Sequence, residues 1–226
     1  MMDLEALRKE VIDAGNELVR EGLVRRSWGN ISVRVDNDHM LITPSGRTYD
    51  DLQPEDLVLM NFRTFKYEGD IKPSSEFRLH AEVYKQRKDI NAVIHTHQKN
   101  ASTVAAARRE IPPIIDDMAQ IIGPSVRVTR YTLAGTKKFA REAVKALRGR
   151  LAALLANHGA VCAGRNLQEA FVVSQILEKA AGAFIEASFL GGAKPISKIN
   201  AYLMHQVFLK KYSKLDRNNR GKPKPQ

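Results

Sequence analysis

His95-Thr96-His97 is the tripeptide with the most chemistry in it. On a strand, residues i and i+2 face the same way, so both imidazoles can reach one ion. Ala92-Val93-Ile94 just before it reads as a stiff, buried strand that would hold the pair in place. Two further residues complete an N/O set. His158 follows an apolar strand at a strand-to-loop edge, and Glu76 stands at the start of a helix behind two serines. Three imidazoles and a carboxylate suit zinc, and an ion held that way acts as a Lewis acid. Structural zinc sites are usually built on thiolates, which the single Cys162 cannot supply, so the set points to a catalytic ion. Glu76 and His80 also lie four apart on one helix face; His80, a full turn further in, reads as a packed or capping side chain. His39 and His205 have no ligand-like neighbours and read as surface residues.

A second chemistry recurs in three short loops. Ser27-Trp28-Gly29-Asn30 precedes a strand, Thr43-Pro44-Ser45-Gly46 follows one, and Pro73-Ser74-Ser75-Glu76 opens a helix. Each offers free backbone N–H groups and short polar side chains. Gly29 and Gly46 permit the positive-φ turns that aim successive N–H groups at an anion. The helix start after Ser75 adds the positive end of its dipole, a seat for phosphate. Each loop alone is also an ordinary turn or cap; their weight comes from Glu76 adjoining Ser75, which would set a phosphate beside the metal.

The elements that must carry these residues follow from apolar spacing. Period 3.6 predicts a helix over 4–24, with Gly22 as a stop signal. Alternation predicts strands over 31–35, 40–42 and 57–60, the first two joined at Asp36-Asn37-Asp38. A helix over 76–87, a strand over 92–95 and a helix through Val104 and Ala107 come next. A strand at 126–128, a helix over 136–147, a strand over 151–155 and helices over 167–190 and 199–212 complete the chain. The expected fold class is α/β, a three-layer α/β/α arrangement around a mixed, largely antiparallel sheet. Without an internal repeat or a Pro/Gly linker before residue 215, one domain is expected over 1–214. A basic, flexible tail is expected over 215–226.

Length and composition narrow the function classes. At 226 residues, 43% hydrophobic and 27% charged, the chain can bury one substantial core without disulfides. One cysteine implies a reducing compartment, and there is neither an apolar run near the ~18 residues of a membrane span nor a signal-like N-terminus. A cytoplasmic location without membrane attachment is expected. More than half of the +11 net charge lies after His205, in seven basic residues against Asp216. Aromatic residues are not interleaved with these cations, which argues against nucleic acid and for a solvated tail or a small anionic substrate.

The order Ser-Trp-Gly-Asn-Ile-Ser, Thr-Pro-Ser-Gly, Ser-Ser-Glu, His-Thr-His and Asn-His-Gly-Ala resembles the class II aldolase/adducin family, and in particular its sugar-phosphate aldolases. The resemblance runs over nearly the whole chain, from Leu4 to Tyr212. It implies one divalent ion per subunit on His95, His97, His158 and Glu76. Zinc is preferred by ligand type, while manganese, cobalt and iron also suit such a set. It makes Glu76 the acid/base group and places phosphate contacts on Asn30, Ser45, Gly46, Ser74 and Ser75. The implied reaction is reversible cleavage of a ketose 1-phosphate to dihydroxyacetone phosphate and an aldehyde. The implied assembly is a homotetramer with active sites between subunits.

Where the family's aldolases carry a tyrosine that reaches a neighbouring site to protonate the aldehyde oxygen, this chain has Ile111-Pro112-Pro113-Ile114-Ile115-Asp116-Asp117. Asp116 or Asp117 could take that place, or both could cap a helix starting near Met118. Tyr212 resembles a second family tyrosine that closes over the substrate. The aldehyde half is expected to meet residues 129–135 and a neighbour's tail. The same scaffold also carries pentulose-5-phosphate 4-epimerases, dehydratases and decarboxylases. The epimerase run His-Ala-Asp-Tyr has no counterpart in Met118-Ala119-Gln120-Ile121, which ranks aldolase first. A non-catalytic, adducin-like binding module is the remaining alternative.

Overall fold

The computed structural model describes residues 3–219, with side chains through residue 211. Helix α1 (Leu4–Arg20) begins at Asp3, whose carboxylate accepts from the N–H groups of Glu5 and Ala6. It stops earlier than its apolar spacing suggests. Gly22 takes a left-handed φ of 71°, and the N–H groups of Gly22 and Leu23 turn back to the carbonyls of Val19 and Leu18. That closing geometry satisfies the last carbonyls of the helix.

Strands β1 (Asn30–Arg34), β2 (His39–Ile42) and β3 (Val58–Asn61) then form an antiparallel meander. Helix α2 (Phe77–Gln86) leads into β4 (Ala92–Thr96), which returns beside β1 with Asn30 opposite His95. Next come α3 (Lys99–Ala106), α4 (Asp116–Ile121), β5 (Arg127–Val128), α5 (Lys137–Leu147), β6 (Ala152–Leu155) and β7 (Gly159–Gly164). The chain closes with α6 (Leu167–Phe189) and α7 (Lys198–Asn219). One seven-stranded sheet results, in the order β3-β2-β1-β4-β7-β6-β5. Every neighbouring pair is antiparallel except β5 and β6.

The helices divide between the two faces. Ser32 on β1 meets His80 and Tyr84 of α2, and α2 packs on α5. On the other face Thr96 bonds Gln98, which donates to the Ser174 carbonyl of α6, and α1 and α3 pack beside α6. The expected three-layer fold with a mixed, mainly antiparallel sheet is the fold observed.

Two further elements differ from the sequence expectation. Strand β7 was not expected, because Gly-Ala-Val-Cys-Ala-Gly has one β-branched residue and no alternation. All six of its residues are buried, and their smallness lets α6 approach: a Cβ on Gly164 would stand 2.4 Å from the Ala170 nitrogen. Helix α7 runs through Asn219, past the boundary placed at 214; the rest of the expected tail, 220–226, lies outside the described residues.

Cys162 on β7 lies opposite Ile94, fully buried, and burial pushes its thiol up to about 12. Arg34 ties the sheet to the far end of α2. Its guanidinium donates to the carbonyl of Tyr84 (2.8 Å) in the last helical turn and to those of Arg87 (3.2 Å) and Ile90 (3.1 Å) just beyond it. With that end pinned, the N-terminal end of α2 is held over β1 and β4. Among the described residues no helix is long and apolar enough to cross a membrane.

Candidate active site

Four side chains from four places in the chain converge at one point. His95 projects from β4, the central and wholly buried strand, while His97 stands just past its end. His158 sits in the tight turn between β6 and β7, after Asn157 in the left-handed region at φ 57°. Gly159 makes the approach possible: a Cβ there would lie 2.3 Å from the Thr96 carbonyl oxygen and 3.1 Å from the His97 ring. Glu76 is the N-cap of α2, its own N–H donating to Ser74 Oγ at 3.3 Å.

One ligand atom from each of Glu76, His95, His97 and His158 lies within 4.8 Å of the others, the only such group among the described residues. Nε2 of His95 is 2.8 Å from Nε2 of His97, 3.1 Å from Nε2 of His158 and 3.0 Å from Oε2 of Glu76. Nδ1 of His95 meets the Ala160 carbonyl at 2.8 Å. A carbonyl only accepts, so Nδ1 carries the proton and the lone pair of neutral His95 is on Nε2, toward the centre. One nitrogen with three close partners cannot hydrogen-bond them all. Oε1 of Glu76 lies 3.0 Å from His158 Nε2, yet it is buried with no hydrogen bond. Converging lone pairs and an orphaned carboxylate oxygen are what a cation resolves, so the residues fit a divalent ion in an N₃O set.

Charge is arranged to match. Burial alone would raise the Glu76 carboxyl, but His95 when protonated, and close contacts with His158 and His95, hold it well below the usual carboxylate range. Burial first, and then the charges of His95 and His158, lower His97 to about 4. Anionic carboxylate and neutral imidazole are the ligating forms.

Glu76, His97 and His158 close one wall of a cleft of about 300 Å³, with His95 buried behind them. Its rim is made by all three small-residue loops: Ser27, Trp28, Gly29 and Asn30; Pro44, Ser45 and Gly46; Ser74 and Ser75. Gly29 and Gly46 have φ of 97° and 76°. Ser45, Gly46 and Ser75 are exposed, whereas Ser74 and Asn30 are buried. Asn30 is engaged on both sides, its Nδ2 donating to Glu76 Oε2 (3.1 Å) and its Oδ1 facing His80 Nε2 (2.5 Å). Ala134 and Gly135 form the facing lip, within the segment expected to meet the aldehyde half.

Other sequence-predicted residues lie apart from this cleft. Asp116 and Asp117 form the first turn of α4; Asp117 accepts from the Met118 N–H (2.8 Å) and pairs with Lys179 Nζ (2.6 Å). Neither lines the cleft of its own chain. The side chain of Tyr212 lies outside the described residues. His80 is fully buried and not among the ligands. The surface reading of His205 is corrected. It is 3% exposed, and its ring Nδ1 donates to the Gln120 carbonyl (2.7 Å) where α7 packs on α4. The Ala160 carbonyl escaped sequence reasoning because any residue has one. So did Phe139, whose ring stands edge-on to His158 and which reads as an ordinary core position of α5.

Residues 9–185 match the Class II Aldolase and Adducin N-terminal domain family. A 5-methylthioribulose-1-phosphate/5-deoxyribulose-1-phosphate aldolase of Rhodospirillum rubrum is 38% identical over 78% of this chain and 79% of its own. A 5-deoxy-D-ribulose 1-phosphate aldolase of Bacillus thuringiensis serovar kurstaki is 36% identical over 85% of this chain and 91% of its own. Among solved structures, an L-fuculose 1-phosphate aldolase superposes with a TM-score of 0.86 at 34% identity, covering 92% of this chain and 97% of that one. The chain belongs to the class II aldolase and adducin family, as one of its metal-dependent aldehyde-lyases.

Proposed function

We propose that the protein reversibly cleaves a ketose 1-phosphate into dihydroxyacetone phosphate and an aldehyde, and that 5-deoxypentulose 1-phosphates are the first substrates to examine. The observation that carries this reading is the meeting of an N₃O ligand set with a three-loop donor rim in one cleft. Relatives named for 5-deoxyribulose 1-phosphate, at 36% and 38% identity, support the substrate class.

His95, His97, His158 and Glu76 would hold the ion, zinc by ligand preference. When bound, it supplies Lewis-acid polarisation of the ketone, which spreads the negative charge left on the dihydroxyacetone phosphate half. Ser45, Gly46, Ser74 and Ser75, with the N-terminus of α2 and the Asn30 loop, fix the phosphate so that the reacting carbons are held in register. Glu76 carries the proton to and from the carbon that loses the aldehyde, a role typically worth about 10²–10⁴ in rate. Asp116 or Asp117 handles the aldehyde oxygen of a neighbouring subunit's site, and Tyr212 covers the substrate. That assignment requires the homotetramer, which the exposed Phe189, Leu190 and Ile199 at the α6–α7 corner favour. A cytoplasmic location accompanies the reading.

The test is dihydroxyacetone phosphate release from 5-deoxyribulose 1-phosphate, fuculose 1-phosphate and ribulose 5-phosphate, with light scattering for subunit number. Release from a 1-phosphate, lost on chelation and restored by zinc, is expected. C4 epimerisation of the 5-phosphate without any release would make the protein an epimerase. Failure to bind a stoichiometric ion would leave a binding module.

A further inference from the structure

A line of buried polar groups stands behind the ligands, and the reaction as proposed gives no role to its inner members, Tyr84, Ser32 and His80. Tyr84 Oη is 2.8 Å from Ser32 Oγ, Ser32 Oγ is 2.6 Å from His80 Nδ1, and His80 Nε2 is 2.5 Å from Asn30 Oδ1. Asn30 Nδ2 then reaches Glu76 Oε2 at 3.1 Å.

Chemistry fixes the direction of this line. A carboxylate accepts only, so the amide nitrogen of Asn30 must face Glu76 and the amide oxygen must face His80. His80 Nε2 therefore carries a proton. Burial and the charge of His95 lower His80 to about 3, which keeps the ring neutral with that single proton. Nδ1 is then an acceptor, and the Ser32 hydroxyl donates its hydrogen bond to it.

We propose that His80, acting through Asn30, is a positioning residue that holds the Glu76 carboxylate in its working orientation. An asparagine amide has two nearly isosteric orientations, and the wrong one would turn its oxygen onto the carboxylate. The Nε2–H of His80 selects the right one. Asn30 lies opposite His95 in the sheet, so the selected N–H reaches Glu76 from the side of the central ligand. Partners of this kind behind a metal ligand are typically worth about 10–100-fold in affinity or activity.

The inference rests on the proposed role of Glu76, so its test includes two readouts that need no substrate. In ¹⁵N-histidine NMR of the zinc-loaded protein, His80 is expected with its proton on Nε2 and a lone pair on Nδ1. His80→Phe is expected to weaken Co²⁺ affinity about 10-fold and to lower kcat about 10–100-fold with KM within about twofold. His80→Gln, which keeps a donor, is expected to recover both to within about fivefold of the wild type. A proton on Nδ1 would overturn the inference. So would His80→Phe matching the wild type, or Phe and Gln variants equally impaired. Should His80→Phe fail to fold, the NMR tautomer and the His80→Gln variant decide the question. If no ketose phosphate is cleaved, the function fails while the tautomer and Co²⁺ readouts still judge His80.

Discussion

The two halves of the cleft are built on opposite principles. In the half that fits a metal, the groups are side chains: buried His95 is held by the Ala160 carbonyl and buried Glu76 by Asn30, while half-buried His158 stands against Phe139. In the half proposed for phosphate, three short loops form the rim, with Ser45 and Ser75 exposed and the N–H groups of Ser45 and Ser74 bonded to the carbonyls of Lys72 and Thr43. The difference teaches where substitutions should act. Chemistry depends on a few rigid groups, whereas anchoring is spread over many replaceable ones.

The sharpest way to break this contrast is Glu76→Gln. It keeps the shape but removes the charge and the proton carrier, and kcat should fall about 10²–10⁴-fold. A loss confined to KM would put Glu76 in the anchoring half. Gly159→Ala comes next: the added Cβ has no room against the Thr96 carbonyl, so about 1–3 kcal/mol of stability should be lost, read by urea unfolding. Bound-metal stoichiometry should drop with it, because His158 is displaced.

The buried histidine behind the metal half gives a pH signature. His80 has a depressed value of about 3, so above pH 6.5 neither folded nor unfolded chain binds that proton. As pH falls below 6.5 only the unfolded chain takes it up, and stability declines until about pH 3. Between pH 7 and 5 the group should contribute about 2 kcal/mol of loss, seen as a steeper decline for the wild type than for His80→Gln.

Ser75→Ala tests the other half. One lost donor to an anion should raise KM roughly 10-fold, about 1.5 kcal/mol, with kcat little changed. Asp117→Asn is the smallest expected effect on stability, less than about 1 kcal/mol, because its pair with Lys179 is solvent-accessible. A large kcat loss in that variant would assign Asp117 to a neighbour's chemistry.

The same contrast explains what was legible beforehand. His95 and His97 were readable because strand periodicity forces i and i+2 onto one face, whereas Glu76 stood in an ordinary helix cap and gained weight only beside the histidines. The three loops were readable as turns, but their union around one cleft depends on β1, β2 and α2 meeting, which no local pattern encodes. Strand β7 was missed because its small residues are chosen for the approach of α6 and not for strand propensity. The burial of His205 was hidden for a similar reason: its partner is a carbonyl of a helix far away in the chain. Asn30 carried a loop signature while its amide serves the carboxylate.

The interior placement of Cys162 has a practical corollary. With its thiol fully buried and pushed up to about 12, it should ignore maleimides and oxidants while the protein stays folded. A cysteine introduced on the outside would then be the sole point of attachment. A fluorophore or spin label there could thus report movement of the rim without first engineering a thiol-free background.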